Sequence, residues 1–221
     1  MRRSLHSYAR PAFTARAAVA VLLAVLPRAA AREADDRPAA GWKAAAAAVK
    51  ITPTDPLPMA GYAGRTEPAE GTEQELFAKA LALEDAAGGR VVLITLDLIG
   101  VSAELRSQVV AALGTARAIP PHAILLNASH THCGPDYRHE AATAYRESLS
   151  RGIVAAATEA IDRLAPAELT FGTARASVSM NRRTPSPTGY LNHPNPQGPV
   201  DQSVPTLAVR TADGGLAAVL F

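Results

Sequence analysis

Two short apolar runs, Val91 to Leu96 and Ala123 to Asn127, stand either side of a helical pattern, and this arrangement limits the fold more than any other feature of the chain. Between them Leu105, Val109 and Leu113 recur at helical spacing, from Ser102, a good N-capping residue, to Arg117. Pro120 and Pro121 then block continuation. A strand, helix, strand unit places its strands parallel and brings both C-terminal ends to one edge of the sheet, where open α/β sheets collect ligands. Val91 to Leu96 is almost wholly apolar and rich in β-branched residues, so it reads as a central strand covered on both faces. Ala123 to Asn127 reads as a second buried strand.

The remaining elements fit around that unit. Ala44 to Ile51 and Leu76 to Leu83 read as strands, separated by a loop from Asp55 to Gly71 that holds several prolines and glycines. Glu140 to Leu164 is the longest helical stretch, with Tyr145, Leu149, Ile153, Ala157, Ile161 and Leu164 as its buried stripe. Ala167 to Thr173 reads as a strand. Met180 to Ser203 is too long for a plain connector and is a candidate binding loop. Thr206 to Arg210 and Leu216 to Phe221, joined by a turn at Asp213 to Gly215, form a hairpin that carries the chain to its last residue. With 48% apolar, 19% charged and 5% aromatic residues, disorder, coiled coil and collagen-like folds are disfavoured. The expected class is α/β, mixed β-sheets flanked by helices, ending in a strand.

The net charge of +2 invites a nucleic-acid reading until its location is considered. Arg2, Arg3, Arg10, Arg16 and Arg28 all lie in the first 31 residues, without an acidic residue among them. Removing those five from 22 basic residues leaves 17 against 20 acidic ones, so no nucleic-acid partner is expected. The basic start, the apolar run from Ala17 to Leu26 and the small residues Ala29 to Ala31 match a secretory signal peptide over residues 1–31. The run is too short to span a bilayer, which takes about 20 residues. A linker over 32–43 and a folded part over 44–221 follow, and the expected location is secreted or periplasmic. Cys133 is the single cysteine, so no internal disulfide forms.

Chemistry concentrates in Ser129-His130-Thr131-His132-Cys133-Gly134-Pro135, directly after the second strand of the parallel unit. Histidines at i and i+2 of an extended segment project to one side, so one or both imidazoles can reach a single metal ion. Asp97, ending the neighbouring strand, is placed to accept the other ring proton and fix the tautomer. The same spacing also occurs in ordinary structural loops. Outside this segment, His122 and His139 read as surface residues and Arg183 as a solvated charge. Tyr62 and Tyr190 read either as groove-lining or, more commonly for tyrosine, as packed residues, and His193 lies in the candidate binding loop, where it can contact a substrate.

His130-Thr131-His132-Cys133-Gly134-Pro135 resembles the His-Thr-His-Ser-Gly-Pro motif of neutral/alkaline non-lysosomal ceramidases. Ile51-Thr52-Pro53 with Met59-Ala60-Gly61-Tyr62, Leu76 to Ala80, and Val91 to Asp97 resemble family segments in the same order. Asn181-Arg182 with Tyr190-Leu191-Asn192 and Pro194 does so as well, and the resemblance runs from about Ala44 to Phe221. It implies a zinc-dependent amidohydrolase that splits the N-acyl linkage of a ceramide-like lipid into sphingosine and a fatty acid, with room for peripheral membrane contact. It further implies that His130 binds zinc, while His132 and Arg182 are catalytic residues of the substrate site. Cys133 departs from the family's Ser. The other zinc ligands that the resemblance implies, a His, a Glu and a Tyr, have no counterpart up to Phe221. The competing expectations are a catalytically incomplete fragment or pseudoenzyme that at most binds lipid, and a related metal hydrolase for another amide or ester. Oligomeric state is not written in any of these features.

Overall fold

The structure, a computed structural model, describes residues 41–62 and 64–221. The expected signal peptide and residues 32–40 of the expected linker lie outside the described residues. Three antiparallel strands come first: β1 (Lys43–Lys50), β2 (Phe77–Glu84) and β3 (Arg90–Leu96). Helix α1 (Ala103–Arg117) then leads to β4 (Ile124–Ala128), which pairs parallel to β3. Helix α2 (Thr143–Asp162) leads to the long strand β5 (Ala165–Arg175). A small hairpin of β6 (Thr184–Ser186) and β7 (Gly189–Leu191) precedes β8 (Ser203–Thr211) and β9 (Leu216–Leu220). The main sheet has seven strands in the order β4-β3-β2-β1-β5-β8-β9. It is a mixed sheet flanked by helices and ends in a strand, the expected class. Among the described residues no helix is long and apolar enough to cross a membrane.

Local chemistry explains the helices. Ser102 Oγ accepts a hydrogen bond from Leu105 N at 3.1 Å, and Leu105, Val109 and Leu113 are the buried residues of α1, as their spacing requires. Ala118 leaves the helix in the left-handed conformation, and its N–H donates to Gly114 O. Helix α2 buries Tyr145, Leu149, Ile153, Ala156, Ala157, Ala160 and Ile161. Its small residues face an alanine-rich sheet surface of Ala47, Ala78, Ala80 and Ala82, so helix and sheet approach closely. At Gly152 an added Cβ would lie 3.3 Å from Ile51 Cγ2, which leaves little room for a larger residue. The buried Tyr145 hydroxyl donates to Ile51 O at 2.6 Å and ties α2 to the end of β1.

The strands differ from expectation in how they are covered. In β3 only Val92, Ile94 and Leu96 are buried, while Val91 is 42% exposed. In β4 Leu125 is 56% exposed, and the strand is an edge of the sheet. The helices cover only one face. The opposite face is covered where Leu169, Leu207 and Val209 of β5 and β8 pack on Ala44, Leu81 and Leu83. Val91 of β3 and Leu125 of β4 stay outside that cover, and β3 meets it only through the partly buried Leu93. β1, through Ala47 and Ala44, and β2, through Ala78, Ala80 and Ala82 and through Leu81 and Leu83, are the strands that contribute buried residues to both cores.

At one end of the strands, Glu84 of β2 stands directly between Lys43 of β1 and Arg90 of β3 in the register. Its carboxylate accepts from Lys43 Nζ at 2.7 Å and Arg90 Nε at 2.6 Å. These two hydrogen bonds, Lys43's first, hold the Glu84 carboxyl below the usual carboxylate range. At the other end, Leu96 pairs with Ala128, so β3 and β4 stop level and their following segments run side by side.

Candidate functional site

Beyond β3 and β4 the two segments continue as a pair. Ser129 N donates to Leu96 O and Thr131 N to Leu98 O, both at 3.0 Å. His130, between those donors, has φ of 59°, the left-handed region that a non-glycine residue occupies at a cost of about 1–3 kcal/mol. The expected extended segment is therefore a turn. It still brings the imidazoles together: the rings of His130 and His132 lie 4.7 Å apart, edge to face at 64°.

The His130 ring is oriented by Nδ1, which lies 2.8 Å from Ile99 O. A carbonyl only accepts, so Nδ1 carries the donated proton, and the neutral ring in this tautomer presents its lone pair at Nε2. That is the second-sphere arrangement expected of a metal-binding histidine, with a different partner from the one expected. Asp97 is engaged elsewhere: its Oδ2 accepts from Phe77 N at 2.9 Å and faces Lys79 Nζ at 3.6 Å. The carboxylate serves the strand end, and a backbone carbonyl two residues on serves the histidine. That backbone is itself pinned by Tyr137, a buried residue whose hydroxyl donates to Gly100 O at 3.2 Å and accepts from Ser102 N at 2.8 Å.

His132 is held from the Met59-Ala60-Gly61-Tyr62 segment. Residues 58–60 run antiparallel to 134–136: Ala60 N donates to Gly134 O at 2.9 Å and Asp136 N to Pro58 O at 2.7 Å. Gly61, at φ of 107°, passes so close that a Cβ there would lie 2.8 Å from His132 Cβ and Cγ. Only glycine fits. Tyr62 then meets the His132 ring at 5.0 Å, edge to face.

Arg65 is the residue that the sequence did not single out. Its Nη1 donates to Ala60 O and to His132 O, its guanidinium lies 4.9 Å from the centre of the Tyr62 ring, and its Nη2 is 3.7 Å from Cys133 Sγ. Cys133 is exposed, not the small buried hydrophobe of a plain structural loop. An open cleft of about 1150 Å³ lies alongside, lined by Leu57, Met59, Arg65, Lys79, Thr131 and Cys133 among others. A second depression of about 620 Å³, lined by Ala112 and Val154 of the two helices, contains none of these residues.

Arg182 is exposed in the segment between β5 and β6, and no hydrogen bond or ion pair joins its side chain to the histidine pair. The segment around it is ordered by asparagines. Asn181 Nδ2 donates to Pro199 O at 2.9 Å, Asn181 Oδ1 accepts from Arg183 N at 2.9 Å, and Asn195 Nδ2 donates to Arg183 O at 3.0 Å. His122, His139, His193, Tyr62 and Tyr190 are all exposed, and His139 Nδ1 caps the turn before α2 by accepting from Ala141 N.

The donor set falls short of a metal centre. Among the described residues no three His, Cys, Asp or Glu side chains come together closely enough to hold an ion. A catalytic zinc needs about three protein ligands. His130 fits as one ligand, and the described residues do not fit the whole centre.

A mixed sheet flanked by helices, with a histidine turn where two parallel strands end, defines an α/β protein whose candidate site lies at the sheet's carboxyl edge. The profile of the neutral/alkaline non-lysosomal ceramidase family, N-terminal portion, matches residues 51–215, and the chain belongs to that family. The structure of neutral ceramidase from Pseudomonas aeruginosa is similar, with a TM-score of 0.68 and 22% identity, over 81% of this chain and 31% of that one. A ceramidase complexed with C2 is similar too, with a TM-score of 0.63 and 23% identity, over 81% of this chain and 30% of the other. At that identity the likeness shows a shared fold. The chain spans under a third of the length of either structure. No curated protein sequence matches it.

Proposed function

We propose that this chain forms one part of a ceramidase-type amidohydrolase site and that, as a 221-residue polypeptide, it binds a lipid amide without hydrolysing it unaided. The observation that carries this reading is His130: an imidazole held through Nδ1 by Ile99 O, with no hydrogen-bond partner for Nε2 among the described residues, in a region where the described donors do not complete a metal centre. A site of this kind, completed by ligands from outside the described residues, would be zinc-dependent, with ceramide as substrate and sphingosine and a fatty acid as products. Within it His130 is the metal ligand. His132 and Arg182 are the groups that steady charge developing on the amide carbonyl oxygen. The cleft beside the histidine turn accommodates part of the lipid, and peripheral contact with a membrane would deliver it. The leader motif supports export to a periplasmic or extracellular location.

Calorimetric titration of the chain with a short-chain ceramide tests the binding half of this reading. Saturable binding that His132→Ala weakens about tenfold, roughly 1.4 kcal/mol, is the expected result. Absence of saturable binding by the folded chain would overturn it.

A further inference from the structure

We infer that Arg65 is a positioning residue for the histidine turn, holding His132 in place through its backbone; the inference rests on the reading of that turn as the site. Three contacts from different directions carry it. The guanidinium bridges Ala60 O and His132 O, carbonyls from two segments far apart in sequence. Its Cζ lies over the Tyr62 ring at cation–π distance, and Tyr62 is the ring that meets His132 edge-on. Its second terminal nitrogen reaches Cys133 Sγ, the next residue of the turn. Arg65 is half-buried, so these hydrogen bonds are screened less than those of a solvated surface arginine.

The geometry shows why such a clamp is needed. His130 holds a left-handed backbone conformation, and a short turn with one strained residue relaxes unless its neighbours over-determine it. Ile99 O secures the His130 side chain, but among the described residues the hydrogen bond to His132 O comes from Arg65 and not from the β3 side. Arg65 supplies that restraint from the opposite segment, where Gly61 already presses against the ring. A guanidinium carries two terminal nitrogens, so one donates to both carbonyls while the other reaches Cys133 Sγ and the cation stays near the Tyr62 ring, a combination that lysine cannot reproduce.

The test compares Arg65→Ala, Arg65→Lys and the parent in the full 221-residue chain, below the unfolding temperature of each. Cross-relaxation between the Tyr62 and His132 rings and the rate of iodoacetamide alkylation of Cys133, the single cysteine, are measured by NMR and mass spectrometry. With positioning, Arg65→Ala loses the Tyr62–His132 cross-peak and alkylation accelerates several-fold, while Arg65→Lys restores at most part of both. A purely structural role would lower the unfolding midpoint and leave the cross-peak and alkylation rate of the folded protein unchanged, which would overturn the inference. Should Arg65→Ala not fold, an unchanged cross-peak in Arg65→Lys has the same meaning and its loss supports the clamp. Neither readout needs zinc or substrate. Failure of the parent to bind ceramide would therefore count against the proposed function alone, and an undisturbed turn against Arg65 alone.

Discussion

The His130 ring donates through Nδ1 to the carbonyl of Ile99 at 2.8 Å, a side-chain bond that adds to the backbone bond from Thr131 N to Leu98 O between the segment after β4 and the segment after β3. It turns the neighbouring ends of two parallel strands into a scaffold for one imidazole. Because the acceptor belongs to the backbone, the orientation depends on where β3 ends and on Tyr137 beneath it, not on any acidic side chain.

The left-handed conformation of His130 is a cost carried for that orientation. His130→Gly and His130→Ala both remove the imidazole, yet glycine adopts φ of 59° freely and alanine does not. The glycine variant is expected to be the more stable of the two by about 1 kcal/mol in urea unfolding. Equal stabilities would show that the strain is not there.

Gly61→Ala is expected to be poorly tolerated. The new Cβ would fall 2.8 Å from the His132 ring at a φ of 107°, so either the loop or the histidine must move. A loss of about 1–3 kcal/mol in urea unfolding, with displaced His132 NMR resonances, is the predicted outcome.

These features were unequally legible in the sequence. Helix α1 could be read in detail because its cap at Ser102 and its stripe of Leu105, Val109 and Leu113 are local patterns. The parallel pairing of β3 and β4 followed from the crossover. Coverage of those strands did not, because an apolar run does not reveal how far the layer on its other face extends, and β5 and β8 pack on β1 and β2. The histidine pair was legible as a motif. Its left-handed turn and its acceptor were not, since a backbone carbonyl such as Ile99 O has no sequence signature. Arg65 was invisible for a related reason: its contact with His132 spans 67 residues, and a lone arginine in a glycine- and proline-rich loop follows no pattern.

The Lys43, Glu84 and Arg90 row makes stability pH-dependent. Glu84 has a carboxyl pKa lowered by its two basic neighbours, so it contributes stability above the ordinary carboxylate pKa of the unfolded chain. That contribution is lost as pH falls through the lowered folded value. Glu84→Gln should therefore be less stable than the parent at pH 7, with the difference shrinking as pH is taken below about 4. Thermal unfolding monitored from pH 7 to pH 3 checks this, and a gap that widens in acid would contradict it.

Arg182 and Arg183 are adjacent and both exposed, so they provide an internal control. Arg182→Ala is expected to weaken short-chain ceramide binding about tenfold and Arg183→Ala to change it less than twofold, measured by calorimetry. Asn181→Ala, which removes the bonds to Pro199 O and Arg183 N, should show part of the Arg182→Ala effect by loosening the segment that presents it.

The central claim is that the described residues supply one metal ligand, His130, and not a working centre. Zinc stoichiometry of the purified 221-residue chain, determined by equilibrium dialysis alongside an assay for fatty acid release from ceramide, tests it most directly. The account predicts well under one tightly held zinc per chain, no fatty acid release, and loss of the residual zinc binding in His130→Ala but not in His132→Ala. One firmly bound zinc per chain with steady release of fatty acid would contradict it.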